Sequence, residues 1–531
     1  MKKKIFWVVL ILLLSLGLAS NSFAQGRQTG SISGTILDEE GQPLPGATVT
    51  LNGTGIMGSL SYVTGETGAF RFPSLIPGEC ELKVEMSGFQ TTIQKGLIVN
   101  VGKTTDVTIS LKQAAVSEEV TVTAESPVVD VETSKISVNY SSEFLASLPM
   151  NRDLYGIQNS IPGAVSEGVD YRRTSSILGG TVRSQLYQLD GVPMNDPSTF
   201  YPMTNINVDV YEEIEFGIGS LPAEVGQADS VVVNIVTKAG GNDFTGSASA
   251  YYTGKSLVSN LVSAEDLEAV GLNSPESYTD YKDGTFSLGG PVIKDRIWFF
   301  VNGRRLLWEQ ANPETHDVRL AKINLREWTF TPEELQHYDF EHEEWMAFAK
   351  MTFQITKNIR YMGMYHWNNI YEPVYSNRTG NDYTFALTIV WDHENTHTTT
   401  HQLNWVLNQN TFLDIRGTYV HRHFPILMRP EYSDNYMVYD RANQVFWGNT
   451  YYGDDYLRKK TLASASMTHF ADDLLGASHE MKFGAEYEGT IYGLDRYKGV
   501  ERGDNPYYTY WRDYNAGNKY YYSSSGRQGR L

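Results

Sequence analysis

The sequence predicts a mainly β protein, in which a small sandwich is followed by strands of an antiparallel transmembrane β-barrel. First, from residue 244 onward, segments of about ten residues alternate between apolar and polar side chains. Second, the connections between these segments are alternately long and tight. Third, no apolar run of about 18 residues occurs beyond the N-terminus, which excludes a helical membrane protein with several spans.

Composition narrows the functional classes further. The 531 residues include 43 basic and 62 acidic side chains, which gives a formal net charge of −19. An acidic chain lacks the basic surface that phosphate binding requires, so a nucleic-acid partner is excluded. Because Cys80 is the single cysteine, neither a disulfide framework nor a cysteine zinc site is available. We expect Cys80 to be a small buried hydrophobe.

Residues 1–24 are predicted to be a secretory signal. Three lysines precede an almost unbroken apolar run over residues 5–18, and small residues flank Phe23, so cleavage is predicted after Ala24. An uncleaved membrane anchor is the alternative, but the apolar run is short and is followed by polar residues. The signal contains no acidic residue, so the exported chain would be three charges more negative.

Residues 27–113 predict a small antiparallel sandwich. Short alternating runs at 31–36, 47–51 and 82–86 are separated by turn-forming glycine and proline. This segment contains no cluster of a nucleophile, a base and an orienting group, so it is predicted to be non-catalytic.

Several sequences in this segment also carry a family resemblance. They are Gly34-Thr35-Ile36, Pro43-Leu44-Pro45-Gly46-Ala47, Thr64-Gly65-Glu66-Thr67-Gly68-Ala69-Phe70, Pro77-Gly78 and Gly88-Phe89. Together they resemble the carboxypeptidase regulatory-like domain, and the resemblance implies a prealbumin-like sandwich.

Residues 114–126 are predicted to form a linker with a short β-prone run, Val120, Thr121, Val122 and Thr123. The run is either the first strand of the next domain or a tethered strand that adds to the sheet of a partner protein. Periodicity alone favours the first interpretation.

Residues 127–243 contain an ordered series of motifs. They are Leu148-Pro149-Met150-Asn151-Arg152, Ile161-Pro162-Gly163, Tyr187–Pro193, Tyr211–Glu215, Ala223–Gly226 and Val233–Asn242. This succession is similar to the plug domain of TonB-dependent outer-membrane receptors, particularly the Oar-like branch with an N-terminal regulatory-like module. The plug positions that we single out are Leu189, Asp190, Gly191, Val192, Glu224, Gly226, Asn234, Thr237 and Lys238. Two places depart from the family pattern: Val225 stands where Tyr is usual, and Ala228-Asp229-Ser230 replaces a segment like Ser-Gly-Gly.

The resemblance implies an α+β plug and a TonB-dependent transporter or receptor of the outer membrane, with the regulatory-like domain in the periplasm. It makes Val120–Thr123 the TonB-box candidate, a strand that the TonB-type energy-transducing complex would pair with and pull. The other implied partners are outer-membrane lipid, the barrel-assembly machinery and an unidentified extracellular ligand, with no cofactor and no enzymatic activity. The alternative is an Oar-like surface adhesion or secretion-related protein without uptake activity.

Residues 244–531 are predicted to form the N-terminal portion of the barrel. The nine predicted strands are 244–253, 284–293, 296–306, 344–355, 359–367, 398–408, 411–422, 460–470 and 479–491. Tight links, such as Lys294-Asp295 and Gln409-Asn410, would be periplasmic turns, and long links would be external loops. The stretch Ser287–Phe300 also resembles the first barrel hairpin of the Oar-like family.

The length of the barrel leads to one more expectation. Because lipid forbids open sheet edges, the sheet must close, and a plug of this size needs a lumen like that of barrels with about 22 strands. The polar segment 525–531 does not supply the terminal aromatic strand that the resemblance implies. We therefore expect the chain to be truncated after about nine barrel strands.

One motif suggests a competing function. His393, Glu394 and His397 match the H-E-x-x-H pattern of zinc proteases, in which a helix places both histidines on one face. Here the motif precedes β-branched residues and is expected at the end of an external loop, so we predict no metal site. His421 and His423 are interpreted as polar residues of the barrel rim.

Overall fold

The structure is a computed structural model. It describes residues 29–53, 59–113, 119–123, 136–148, 152–167, 174–177, 179–180, 182–219, 230–259, 262–269, 278–311, 321–324, 329–332, 340–373, 389–428, 437–440, 445–448, 452–474, 477–498, 508–513, 518–523 and 528–530. The predicted signal with its cleavage site after Ala24, and the plug positions Glu224 and Gly226, lie outside the described residues. Across these ranges, no helix is long and apolar enough to cross a membrane.

The N-terminal region is a sandwich of two sheets. Its strands are β1 (Gly30–Leu37), β2 (Thr48–Gly53), β3 (Leu60–Val63), β4 (Ala69–Leu75), β5 (Gly78–Glu85), β6 (Thr91–Val99) and β7 (Thr104–Ser110). One sheet has the order β4-β1-β7, and β2, β3, β5 and β6 belong to the other. The core includes Ile32, Leu82 and Leu97, and Cys80 is only 2% exposed, which confirms its prediction as a buried hydrophobe. The purely antiparallel prediction is wrong in one respect, because β1 and β7 pair in parallel.

The linker run forms strand β8 (Glu119–Thr123). It pairs in parallel with β6, from Thr91 opposite Glu119 to Lys95 opposite Thr123, and it is the last strand of the sheet β3-β2-β5-β6-β8. The interpretation of Val120–Thr123 as the first strand of the next domain is therefore wrong. Periodicity identifies a strand, but it carries no information about which sheet the strand joins.

The next region is a mixed sheet with short helices, as the α+β prediction requires. Its elements are β9 (Ile136–Ser141), α1 (Ser142–Ser147), α2 (Leu154–Gln158), β10 (Ala164–Glu167), β11 (Thr174–Ile177), β12 (Leu186–Leu189), β13 (Val192–Pro193), β14 (Tyr211–Gly219) and β15 (Val232–Thr237). Ser141 and Asp153 cap the helices by accepting hydrogen bonds from the amides of Phe144 and Gly156. The main sheet has the order β13-β12-β15-β14-β9, and β12 and β15 are parallel neighbours. We call this region the plug.

Nine long strands form one antiparallel sheet in chain order. Its nine strands are β16 (Thr245–Gly254), β17 (Tyr278–Ile293), β18 (Ile297–Gln310), β21 (Phe340–Thr356), β22 (Ile359–Glu372), β23 (Ile389–Asn408), β24 (Thr411–Met428), β27 (Tyr452–Leu474) and β28 (Ala477–Lys498). The elements between them are α3 (Ala264–Ala269), β19 (Ala321–Asn324), β20 (Thr329–Pro332), β25 (Met437–Asp440) and β26 (Val445–Gly448). Of these, β19 pairs with β20, while β25 and β26 join β29 (Tyr508–Asp513), β30 (Asn518–Ser523) and β31 (Gln528–Arg530) in a separate sheet.

All nine predicted barrel strands are present, but most are longer than predicted. The difference is largest at the ends away from the tight turns: β23 begins at Ile389 rather than at residue 398. Hydrophobic alternation marks only the part of a strand with one apolar face, whereas the hydrogen-bonded ladder continues through polar sequence beyond it.

The two faces of this sheet differ as the alternation predicts. Trp345 and Ile355 of β21 are exposed on the outer face, whereas Lys350 and Thr352 of the same strand are buried on the inner face. The inner face contacts the plug, and Phe300, Phe348, Met364, Val420 and Leu462 of the long strands share a core with Ile214 and Val233. The nine strands therefore curve around the plug as a barrel-type sheet.

Candidate functional site

The predicted motif Leu189-Asp190-Gly191-Val192 forms a tight turn between β12 and β13. Leu189 pairs with Val192, and both central residues have positive φ, 47° at Asp190 and 72° at Gly191. This backbone suits a two-residue hairpin with right-handed twist, and it explains why Asp-Gly occupies the turn. The Asp190 carboxylate is buried and accepts hydrogen bonds from the amide (2.9 Å) and hydroxyl (2.7 Å) of Thr237. The fold thus joins two of the predicted plug positions.

The same turn is attached to the barrel wall. Lys350 of β21 donates from Nζ to the hydroxyl (2.8 Å) and carbonyl (3.0 Å) of Thr237 and lies 3.3 Å from Asp190 Oδ2. Arg416 of β24 donates to the Gly191 carbonyl at 3.1 Å. These barrel residues were not predicted as plug contacts. The available signal was a lysine on the inward-facing side of β21, two positions from the apolar Phe348.

The remaining described plug positions have structural contacts. Asn234 lies in β15 between Gln188 of β12 and Glu215 of β14, and it is 1% exposed. Lys238 donates to the Asp209 carbonyl at 3.0 Å. The turn, β15 and Lys238 therefore form one connected unit.

A cavity of about 840 Å³ lies between the plug and the inner face of the barrel-type sheet, toward the strand ends opposite the tight turns. Its aromatic lining comes from both sides and includes Tyr187, Tyr201, Tyr251, Tyr278, Trp308, Trp391, Phe424, Tyr456 and Tyr492. Concave sites with apolar walls and a few convergent polar groups are the usual form of ligand-binding pockets. We call this cavity the chamber.

Arginine side chains of the chamber are paired with carboxylates. Arg304 makes a two-pronged contact with Asp283, with both hydrogen bonds at 2.8 Å. Arg458 Nε lies 3.2 Å from Asp196 Oδ2, and both side chains are 1% exposed. Burial raises the pKa of Asp196, but hydrogen bonds from Ser198 and other favourable contacts outweigh it, so this pKa lies below its ordinary value. The plug carboxylate is therefore held ionised against a barrel arginine.

The H-E-x-x-H sequence lies inside β23, which corrects the expected position at the end of a loop. Glu394 is buried on the inner face and pairs with Arg422 at 2.7 and 3.0 Å. His393 stacks on Tyr371 and His397 Nδ1 lies 2.8 Å from the Tyr365 hydroxyl, both on the outer face. Because alternate residues of a strand point to opposite faces, the glutamate cannot act on a metal held by these histidines.

The neighbouring histidines also have contacts on β24. His421 lies opposite His397 across the strand pair, and His423 Nε2 lies 2.6 Å from Asp455 Oδ1. Within the described ranges, no group of three or more His, Cys, Asp or Glu side chains is arranged to hold a metal ion.

A small polar contact joins the sandwich to the plug, and we call it the seat. The Val101 amide, in the turn after β6, donates to Glu213 Oε2 at 3.0 Å, and Asn139 Nδ2 donates to the Val101 carbonyl at 3.3 Å. Gly102 follows with φ of 70°, and a Cβ there would lie 2.9 Å from Glu215 Oε1. The seat joins residues more than a hundred positions apart, so no local pattern indicated it.

Comparison with known proteins supports the predicted resemblance. Residues 31–112 match the carboxypeptidase regulatory-like domain family. The chain is 27% identical over 285 residues to the TonB-dependent transporter Oar of Myxococcus xanthus, over 51% of this chain and 26% of Oar. It is 29% identical over 266 residues to the TonB-dependent receptor P39 of Formosa agariphila, over 48% of this chain and 24% of P39. The chain is similar to TonB-dependent receptors.

The fold agrees with this similarity. The outer membrane transporter YddB from Escherichia coli superimposes with a TM-score of 0.52 at 14% identity, covering 74% of this chain and 52% of YddB. The mainly β fold class is therefore confirmed, with a regulatory-like sandwich and a barrel-type sheet. The matched segments span only about a quarter of the two sequence relatives.

The seat between the regulatory-like sandwich and the plug leads to a pH-dependent prediction. Burial raises the pKa of Glu213 from 4.5 to about 7, although hydrogen bonds from Val101 and Asn139 partly oppose the shift; Glu215 raises this pKa and Lys103 lowers it. The folded protein therefore binds the proton more tightly than the unfolded chain does. The contribution of Glu213 to the free energy of unfolding should be fully present below pH 4.5. It should fall as the pH rises toward 7, by at most about 3 kcal/mol.

We expect Glu213→Gln to remove this dependence. Thermal unfolding of the wild-type protein and the variant between pH 4.5 and 8 measures it, and their difference in stability should change across that interval. Parallel stability profiles for the two proteins would contradict the prediction.

Proposed function

We propose that the chain functions as part of a TonB-dependent outer-membrane transporter or receptor, which moves a ligand with energy transduced from the inner membrane. The observation that carries the proposal is a plug seated inside a barrel-type sheet and attached to its wall through Asp190, Thr237 and Lys350. Such a plug must move or rearrange before the lumen can conduct a ligand. No catalytic step is part of this proposal.

The proposal assigns a role to each region. Residues 1–24 are the signal, 27–113 the periplasmic regulatory-like sandwich, 114–126 the linker with the TonB-box candidate, 127–243 the plug and 244–531 the barrel region. The barrel region would contact outer-membrane lipid after insertion by the barrel-assembly machinery.

The chamber is the proposed ligand site. It lies toward the strand ends opposite the tight turns, and its aromatic rings and paired charges offer flat apolar faces beside hydrogen-bonding groups. This lining suits a polar ligand with apolar faces. A ligand bound there would contact the plug through Asp196 and Tyr187 and the barrel through Arg458 and Trp308.

The TonB-box candidate Val120–Thr123 is the proposed contact with the energy-transducing complex. A short strand on a linker can add to the sheet of a partner through main-chain hydrogen bonds, which depend little on side-chain identity. A pull on β8 would reach the plug through the segment that leads to β9.

Deletion of residues 118–124 from the full-length protein tests this proposal. We expect energy-dependent uptake to fall to the level seen after collapse of the proton gradient, while ligand binding to whole cells is retained. A deletion of seven residues within 312–320, between β18 and β19, is the matched control and should leave energy-dependent uptake unchanged. Unchanged uptake in the 118–124 deletion would refute the role of this segment.

The same cells distinguish energy-dependent uptake from the alternative adhesion or secretion-related function. An adhesion protein should retain surface attachment when the proton gradient is collapsed, because adhesion needs no energy from the inner membrane. Attachment without any energy-dependent uptake would favour the adhesion or secretion-related function.

A further inference from the structure

Strand β8 is held by the sandwich through backbone pairing. All five of its residues pair in parallel with β6, from Glu119 beside Thr91 to Thr123 beside Lys95. This is the segment that the proposed function assigns to the energy-transducing complex. The edge of β6 is therefore a strand-binding surface that is occupied by residues 119–123.

The connection to β8 keeps the strand close to this surface. Gln113 bridges to Phe89, and the Gln90 amide donates to the Lys112 carbonyl at 2.8 Å, which fixes the chain beside the start of β6. Only residues 114–118 separate this fixed point from β8. Five residues span at most about 18 Å, so β8 stays near β6 at an effective concentration in the millimolar range.

The sandwich is itself held against the rest of the molecule. The turn after β6 occupies the seat, where Val101 and Gly102 contact Glu213 and Glu215. On the other sheet, the Arg71 guanidinium lies 4.1 Å from the ring centre of Phe470, which precedes the tight connection between β27 and β28. While β8 remains on β6, a load on β8 therefore falls on the docked sandwich before it reaches the plug.

We propose that the edge of β6 is the resting binding surface for residues 119–123, and that the sandwich competes with the energy-transducing partner for this strand. The inference rests on the proposed function, because that function assigns β8 to the partner. If β8 is free of β6 for one to ten per cent of the time, the partner's apparent dissociation constant rises about 10- to 100-fold. The sandwich would thus determine the apparent affinity of the partner for residues 119–123.

A reversible covalent lock tests the competition. Gln94 and Val122 are neighbours in the register, and adjacent strands are about 4.8 Å apart, so the pair Gln94→Cys and Val122→Cys is within reach of a disulfide. Cys80 is 2% exposed, and burial raises the pKa of its thiol to about 11, so the native cysteine should not interfere.

The measurement is binding of the purified periplasmic domain of the TonB-type transducer to the full-length protein in lipid nanodiscs. We expect the oxidised double variant to bind at least tenfold more weakly than its reduced form, and reduction should restore binding. Lys83→Cys with Ile93→Cys, which joins β5 to β6 and leaves β8 untouched, is the matched control and should bind equally in both states.

The outcomes separate this inference from the function on which it rests. Equal binding by the oxidised and reduced β6–β8 lock would overturn the competition, because the partner would then take β8 without displacing it. If neither the wild-type protein nor the reduced variants bind the transducer domain, the assignment of β8 to that partner fails instead. The single variant Val122→Cys shows how much the substitution itself changes binding.

Discussion

Replacing Lys350 by methionine is expected to weaken the attachment of the plug to the barrel wall by about 3 kcal/mol. Lys350 contributes the positive charge beside the buried Asp190 carboxylate and donates to both oxygens of Thr237. Removing one member of a buried ion pair leaves an uncompensated charge, which typically costs about 3–5 kcal/mol. We place the loss near the lower limit because Asp190 keeps two hydrogen bonds from Thr237.

Hydrogen exchange of the β12 and β15 amides measures this effect. The Lys350→Met variant should exchange on the order of a hundredfold faster in these strands. The double variant Lys350→Met with Asp190→Asn should recover most of the protection, because the neutral amide removes the buried charge.

The control is Lys460→Met. Lys460 is also a buried lysine on the inner face, but it pairs with Glu488 within the barrel-type sheet at 3.1 Å. Loss of Lys460 should leave the hydrogen-exchange rates of the β12 and β15 amides unchanged. Equal acceleration in the two lysine variants would mean that the plug responds to general damage of the sheet and not to the Asp190 contact.

The sequence predicted those features that a short stretch of chain determines. The two faces of β21 follow from alternation over neighbouring positions. The motif at Asp190 and Gly191 was also visible locally, and these residue types tolerate the positive φ of the turn that they form. The absence of helical context around His393 and His397 was also visible locally.

Features that depend on distant pairs were not predictable in the same way. Lys350 and Asp190 are 160 positions apart, and Arg458 contacts Ser198 across 260 positions. Alternation indicates that an inward lysine must find a partner, but not which one. The pairing of β8 with β6 was not predictable for the same reason, because backbone pairing depends on which open sheet edge lies nearby in the fold.

Gly102→Leu is expected to release the sandwich from the seat. Gly102 has φ of 70°, which costs a residue with a Cβ about 1–2 kcal/mol, and that Cβ would lie 2.9 Å from the buried Glu215 carboxylate. If the buried Glu215 carboxylate keeps its place, the turn moves, the Val101 amide loses its hydrogen bond to Glu213, and a buried carboxylate is left with fewer donors. An unsatisfied buried group adds about 1–3 kcal/mol, so the total loss is about 3 kcal/mol.

Gly41→Leu is the control that distinguishes the effect of backbone strain from the effect of losing the seat. Gly41 has φ of 78°, but a Cβ there would meet nothing within 4 Å, so its substitution carries the strain without the collision. We expect the Val101 amide to exchange about a hundredfold faster in the Gly102 variant and at the wild-type rate in the Gly41 variant. Retained protection of Val101 in Gly102→Leu would mean that the seat tolerates a side chain there. In that case, Glu215 must be able to move within its buried site, and the seat would not depend on the glycine.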